Sequence, residues 1–167
     1  AEGNAWEGQP IKSDTVSPRK PGERSNHAGQ FWIGGYEKIG DGGTGKLTSE
    51  PFEVTHPWAS FLVGGGSSPE TRVEIVTDGG EIIQKASGKD TETMARVAVD
   101  LRKWKGKRIF LRLLDDRKDG WGHLNFDDFV FHDIPPVATS PGVAVKTGRQ
   151  SESPVLWHLR PNPAQPA

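Results

Sequence analysis

Cysteine is absent from the 167 residues, which rules out a disulfide framework, a thiolate metal site and a cysteine nucleophile. Its absence does not fix a compartment, because secreted domains also do without it. Positive charge is not in excess either: 21 Lys and Arg stand against 22 Asp and Glu, a net charge of −1. Nucleic-acid binders usually carry a basic stripe, so that partner class is set aside. No apolar run approaches the length of a membrane span. Helical periodicity is missing almost throughout, and residues 90–97 are the one short stretch that can be read that way. Serine elbow, P-loop and dinucleotide fingerprint are all lacking. The chain opens on AEGNAW, with neither an initiator Met nor a signal peptide, and is expected to be a processed or excised piece of a longer protein.

Glycine (21) and proline (13) are plentiful, which favours short strands joined by tight turns. Residues 1–24 are polar, broken by Pro10, Pro18 and Pro21, and read as an irregular N-terminal segment. Strand signals occupy residues 25–134. In "RVEIVT" Val73 and Ile75 share a face, in "RVAVDL" Val97, Val99 and Leu101 do, and in "RIFLRLL" Ile109, Leu111 and Leu113 do. Asp78-Gly79-Gly80 sits between two apolar runs as a hairpin turn, and "KWKGKR" is a second turn. Pro51 and Pro57 bracket a short strand around Phe52 and Val54. "FLVGGG" reads as a strand exit against a neighbouring backbone, since no helix pattern follows to present amides to a phosphate. Residues 135–167 are Pro-rich and read as a linker or tail, interrupted by a clump of Val155, Leu156, Trp157 and Leu159 that is expected to dock on the body or on a neighbouring domain. The fold class that follows is an all-β antiparallel sandwich of jelly-roll type.

The stretch "DGWGHLNFDDFVF", residues 119–131, poses the functional question. Leu124 and Phe126 fall on even positions and Phe129 and Phe131 on odd ones, so a regular strand cannot bury all four. A β-bulge at Asp127-Asp128 reconciles them and re-aims one of the two carboxylates.

Several acids invite a glycosidase reading, with Asp115, Asp116, Asp119, Asp127 and Asp128 as candidates. Adjacent acids on one strand point to opposite faces, so hydrolysis is disfavoured. Calcium is a stronger prospect, because it takes carboxylate and carbonyl oxygens from loops at the ends of a sandwich. "DDRKDG" fails as an EF-hand, with Arg117 at a ligand position and Phe126 where the closing Glu belongs. A looser structural Ca2+ site would draw on Asp127 or Asp128 with Glu37 or Asp41. The histidines show no transition-metal spacing. Loop aromatics carry the sharper expectation. Trp121 between two glycines, Trp58 after His56-Pro57, and Trp32 and Tyr36 around Gly34-Gly35 offer flat faces to a sugar ring. Trp121 would stack, while His123, Asn125 and Asp116 would bond hydroxyls, with Trp58 as a further contact.

The run from "SNHAGQFWIGGYEKIGDGGTGKLTSEPFEVTHPWASFLVGGGS" through "TRVEIV" and "GKDTETMARVAVDL" to "GWGHLNFDDFVFHD" resembles a galactose-binding-like β-sandwich domain. Such domains occur in secreted multidomain proteins of planctomycetes and related bacteria. The order G-x-L-x-S-x-x-F, F-L-V-G-G-G, G-W-G-H-x-x-x-D-D is also similar to a domain appended to some family 32 glycoside hydrolases. The resemblance covers residues 25–133. It implies a non-catalytic module that binds a glycan or polysaccharide, exported with other domains of a parent chain to the periplasm or the medium. It also implies a structural calcium held through Asp127 or Asp128 on the last strand. The other reading is a structural domain that packs against neighbouring domains with no small ligand.

Overall fold

The computed structural model describes residues 1–141 and 153–159. The parts of the expected Pro-rich tail at 142–152 and 160–167, including the run "RPNPAQPA", lie outside the described residues. In chain order the strands are β1 (Glu2–Gly3), β2 (Ile11–Lys12), β3 (Phe31–Gly34), β4 (Gly45–Thr48), β5 (Phe52–Glu53), β6 (Trp58–Gly65), β7 (Thr71–Thr77), β8 (Ile82–Ala86), β9 (Thr91–Asp100), β10 (Arg108–Asp115) and β11 (Leu124–His132). Two single-turn helices, α1 (Val16–Arg19) and α2 (Tyr36–Ile39), interrupt them.

The strands form two antiparallel sheets packed as a sandwich, compatible with a jelly roll. One sheet runs β1-β4-β10-β7-β8, with β5 also on β10; the other runs β2-β3-β11-β6-β9. The period-two patterns fill the space between them. Val73, Ile75, Ile109, Leu111 and Leu113 face Phe61, Val63, Val99, Leu124 and Phe126 in a single core. The stretch considered helical at 90–97 is part of β9, because Glu92, Met94 and Arg96 alternate with residues on the opposite face of one strand.

Leu124, Phe126, Phe129 and Phe131 all lie in that core, and the register of β11 against β6 shifts between Asp127 and Val130. Asp128, at φ 50°, is the bulge residue. The bulge aims the Asp128 carboxylate at Arg96, with which it forms an almost buried ion pair. Asp127 accepts a hydrogen bond from the Ala28 N–H at 2.7 Å.

Residues 1–24 lack periodicity, yet they pack on the sandwich. Ala5 and Trp6 enter the main core, and β1 and β2 extend one edge of each sheet. Ile11 and Val16 cover the outer face of the second sheet, against Trp32, Leu62 and Met94. The free edge of β9 is also covered: the Met94 N–H donates to Ser25 O at 2.9 Å, and the Thr139 N–H to Arg96 O at 3.0 Å. Of the C-terminal clump, Val155, Trp157 and Leu159 pack against the core.

Candidate binding pocket

The loop end of the sandwich, where β6 and β11 meet, is shaped by close backbone approaches. Gly66 donates its N–H to His123 O at 2.9 Å, and a Cβ there would stand 2.0 Å from Trp121 O. This is the backbone contact expected of "FLVGGG". It fixes the turn 119–123, in which Trp121 takes φ 64°.

Arg19, Lys20, Tyr36, Asp41, Glu92, Gly120, Trp121 and His123 line a pocket of about 300 Å3 at this end. Its floor is charged and buried. His123 and Glu92 side chains are each 2% exposed. His123 Nδ1 lies 2.6 Å from Asp41 Oδ1, at hydrogen-bonding distance. Nε2 lies 3.4 Å from Glu92 Oε1 and has no hydrogen-bond partner. Glu92 is held from two further sides: Asn125 Nδ2 donates to Oε2 at 2.9 Å, and Arg19 Nη2 lies 2.8 Å from Oε1. Arg19 Nη1 also donates to Glu37 at 2.8 Å, and Thr15 donates to the other Glu37 oxygen at 2.7 Å.

The electrostatics follow from this packing. Burial opposes charge on Glu92, but His123, Asn125 and Arg19 outweigh it and bring its pKa down to about 2. Burial likewise opposes the imidazolium of His123, yet Glu92 and Asp41 together raise its pKa. Asp115 lies close enough to feel both His123 and Asp41 and is 1% exposed, with no hydrogen bond to either carboxylate oxygen; burial raises its pKa to about 7.

Two aromatic rings complete the walls. Tyr36 meets His123 edge-on at 5.2 Å between centroids, beneath Arg19 at 4.2 Å. Trp121 is half-buried beside His123, with Lys20 Nζ 4.0 Å from its ring centroid.

The structure thus places Trp121 and His123 in one pocket, with Asn125 beneath it as a fully buried support for Glu92. Asp116 is exposed and does not line the pocket; its N–H donates to Glu70 O at 3.0 Å. Trp58 starts β6, whose far end carries Gly65 beside Leu124, so it stands roughly 23 Å away at the opposite end of the sandwich. The four acids considered for calcium are held apart: Asp127 on Ala28, Asp128 on Arg96, Glu37 on Arg19 and Thr15, and Asp41 on His123. Among the described residues no group of three or more His, Asp or Glu side chains converges in a way that could hold a metal ion. Arg19, Lys20 and Glu92 escape sequence reasoning. The first two lie in "SPRKPG", which has no period, and Glu92 is one more acid on an ordinary strand.

No family model matches the chain. Over 93 residues it is 36% identical to a protein of Aspergillus rugulosus named "Putative glycosyl hydrolase ecdE". The match covers 55% of this chain but only 13% of that protein.

Proposed function

We propose that the chain is a non-catalytic carbohydrate-binding module of an exported multidomain protein, with the pocket at Trp121 as its sugar site. The observation that carries this reading is the pairing of a half-buried indole at the pocket wall with a charged floor of buried His123 and Glu92 beside the partly exposed Arg19. Flat apolar contact beside a few fixed polar groups is what a pyranose or furanose ring needs. A sugar that stacks on the Lys20 side of Trp121 takes the place of the ammonium and brings it within reach of its hydroxyls. The carbohydrate connection of the relative supports the same ligand class, and the small share of that protein matched fits an accessory module.

The pocket acids favour binding over hydrolysis. Asp41 and Glu92 both face one imidazole, and Glu92 is tied further to Asn125 and Arg19, so both acids are committed to neighbouring side chains. Titration of the purified chain against a panel of neutral glycans is the test. Binding that Trp121→Ala weakens at least tenfold is the expected result. A panel with no binder at all, or a ligand that Trp121→Ala still binds equally well, overturns the reading, and release of reducing sugar by the chain alone overturns its non-catalytic part.

A further inference from the structure

The turn between β9 and β10, read above only as a turn, holds five cations in seven residues, "RKWKGKR" at 102–108. All five side chains are exposed. Their local counter-charges are few. Arg102 is taken by Asp100 at 2.7 Å, and Arg108 leans on Asp78 at 3.7 Å and faces Glu53 across the β5–β10 pairing. Lys103, Lys105 and Lys107 form no ion pair among the described residues. Lys103 Nζ stands 5.2 Å from the Trp104 ring centroid, and Arg102 stands 4.9 Å from that of Trp58. A shallow groove of about 700 Å3 runs beside them, lined by Ile83, Gln84, Asp100, Arg102, Lys103 and Trp104. This face lies at the opposite end of the sandwich from the Trp121 pocket, since Trp58 and Asp100 pair at the far ends of β6 and β9.

We propose that this turn is a second, electrostatic docking surface for an acidic polysaccharide, one that bears uronate carboxylates along its chain. The ligand class rests on the carbohydrate reading of the domain; the charge argument stands apart from it. Three unpaired lysines suit a short run of charged sugars, with Gln84 and Asp100 offering partners to hydroxyls. A nucleic-acid binder usually carries a basic stripe over a whole face, whereas here the excess cations sit in one turn of a chain of net charge −1. The run of five lies within the about four to eight cations that read as anionic-membrane binding, but Arg102 and Arg108 are held by Asp100 and Asp78, so a membrane is left as an outcome of the test. The chain as a whole, at net charge −1, supplies no wider basic field.

Affinity electrophoresis of the full chain through gels containing polygalacturonate tests the proposal, at about 50 and 300 mM NaCl to read the screening of exposed charges. Retardation at low salt that fades at high salt is expected. The triple variant Lys103→Gln, Lys105→Gln, Lys107→Gln should bind roughly thirtyfold more weakly, each exposed pair contributing modestly. These side chains are all on the surface, and circular dichroism verifies the fold. Trp121→Ala should leave this retardation unchanged while it weakens neutral-glycan binding at least tenfold, so failure of the pocket and failure of the turn are told apart. No retardation, an unaffected triple variant, or equal or tighter binding to single-stranded DNA or phosphatidylserine vesicles overturns the proposal.

Discussion

Asn125 donates to Glu92 Oε2 at 2.9 Å, and both side chains are buried. This one bond joins the last strand to β9 beneath the pocket and keeps a buried carboxylate where Arg19 and His123 can reach it. Removing either partner strands charge in the interior. Arg19→Ala leaves Glu92 and Glu37 without their cation and should destabilise the fold by about 2–4 kcal/mol. Arg19→Lys keeps the charge but not the fork that spans both acids, and should recover only part of the loss. Urea unfolding of the two variants measures the difference; an Arg19→Ala midpoint equal to that of the parent would show that the ion pairs do not form.

Stability should peak on the acid side of neutrality. Glu92 has a folded pKa near 2 against an ordinary 4.5, so its contribution is present above about pH 4.5 and is lost as the pH falls towards 2. Asp115 and Asp127 act in the opposite sense. Burial raises each from 3.8 to about 7, so between those values the unfolded chain binds fewer protons and stability declines as pH rises. His123, whose pKa is raised, adds in the same direction: its contribution is complete below its ordinary 6.5 and disappears as pH rises through the folded value. Melting temperature against pH should therefore pass through a maximum near pH 4–5. Asp127→Asn keeps an acceptor for the Ala28 N–H and should raise the melting temperature by a few degrees at pH 8 and hardly at all at pH 4. An equal effect at both values would mean that Asp127 is already ionised in the fold.

The sandwich was legible because its core residues recur every second position, and the bulge because that recurrence breaks at one point. Leu124, Phe126, Phe129 and Phe131 can share a core only if β11 gains a residue, and Asp127-Asp128 is where the parity changes. The site was half legible. Trp121 stands between two glycines in a turn and His123 follows the second, a local signal that survives in the fold. Asn125 and Glu92 carry no such signal, because their pairing joins residues 33 positions apart and depends on both facing the outer side of one sheet. Arg19 and Lys20 were hidden for a different reason. Residues 1–24 are ordered by packing onto the sandwich, and a segment with only a few apolar anchors, Ala5, Trp6, Ile11 and Val16, shows no period to read.

Gly66 offers a direct check on how tightly the pocket turn is held. An alanine Cβ there would lie 2.0 Å from Trp121 O and 2.8 Å from Thr71 Oγ1, well inside contact distance. The carbonyl is backbone and cannot swing aside, so Gly66→Ala must displace the turn that carries Trp121. A loss of roughly 3 kcal/mol or more is expected, together with weakened glycan binding. Gly120→Ala, where nothing lies within 4 Å of the added carbon, is the matched control and should be close to neutral. Equal midpoints for the two variants in denaturant would show that the close approach is not maintained in solution.

Trp157 closes the open flank between the two sheets. It bridges to Ser49 in the antiparallel sense and meets Phe126 of the opposite sheet edge-on at 5.8 Å. The Glu50 N–H donates to Leu156 O at 2.9 Å, and His158 pairs with Glu50 at 2.9 Å. The segment 153–159 therefore acts as a strap on the body, and Phe126 stays buried partly because the indole packs on it. Trp157→Ala should cost about 2 kcal/mol, less than a fully buried tryptophan, because the ring is only partly covered. It should leave neutral-glycan binding at the Trp121 pocket intact, since none of the strap residues line it. His158→Ala should be nearly silent, because both members of that pair are exposed. A Trp157→Ala chain that melts with the parent would place the clump off the sandwich and return it to the role of a contact for a neighbouring domain.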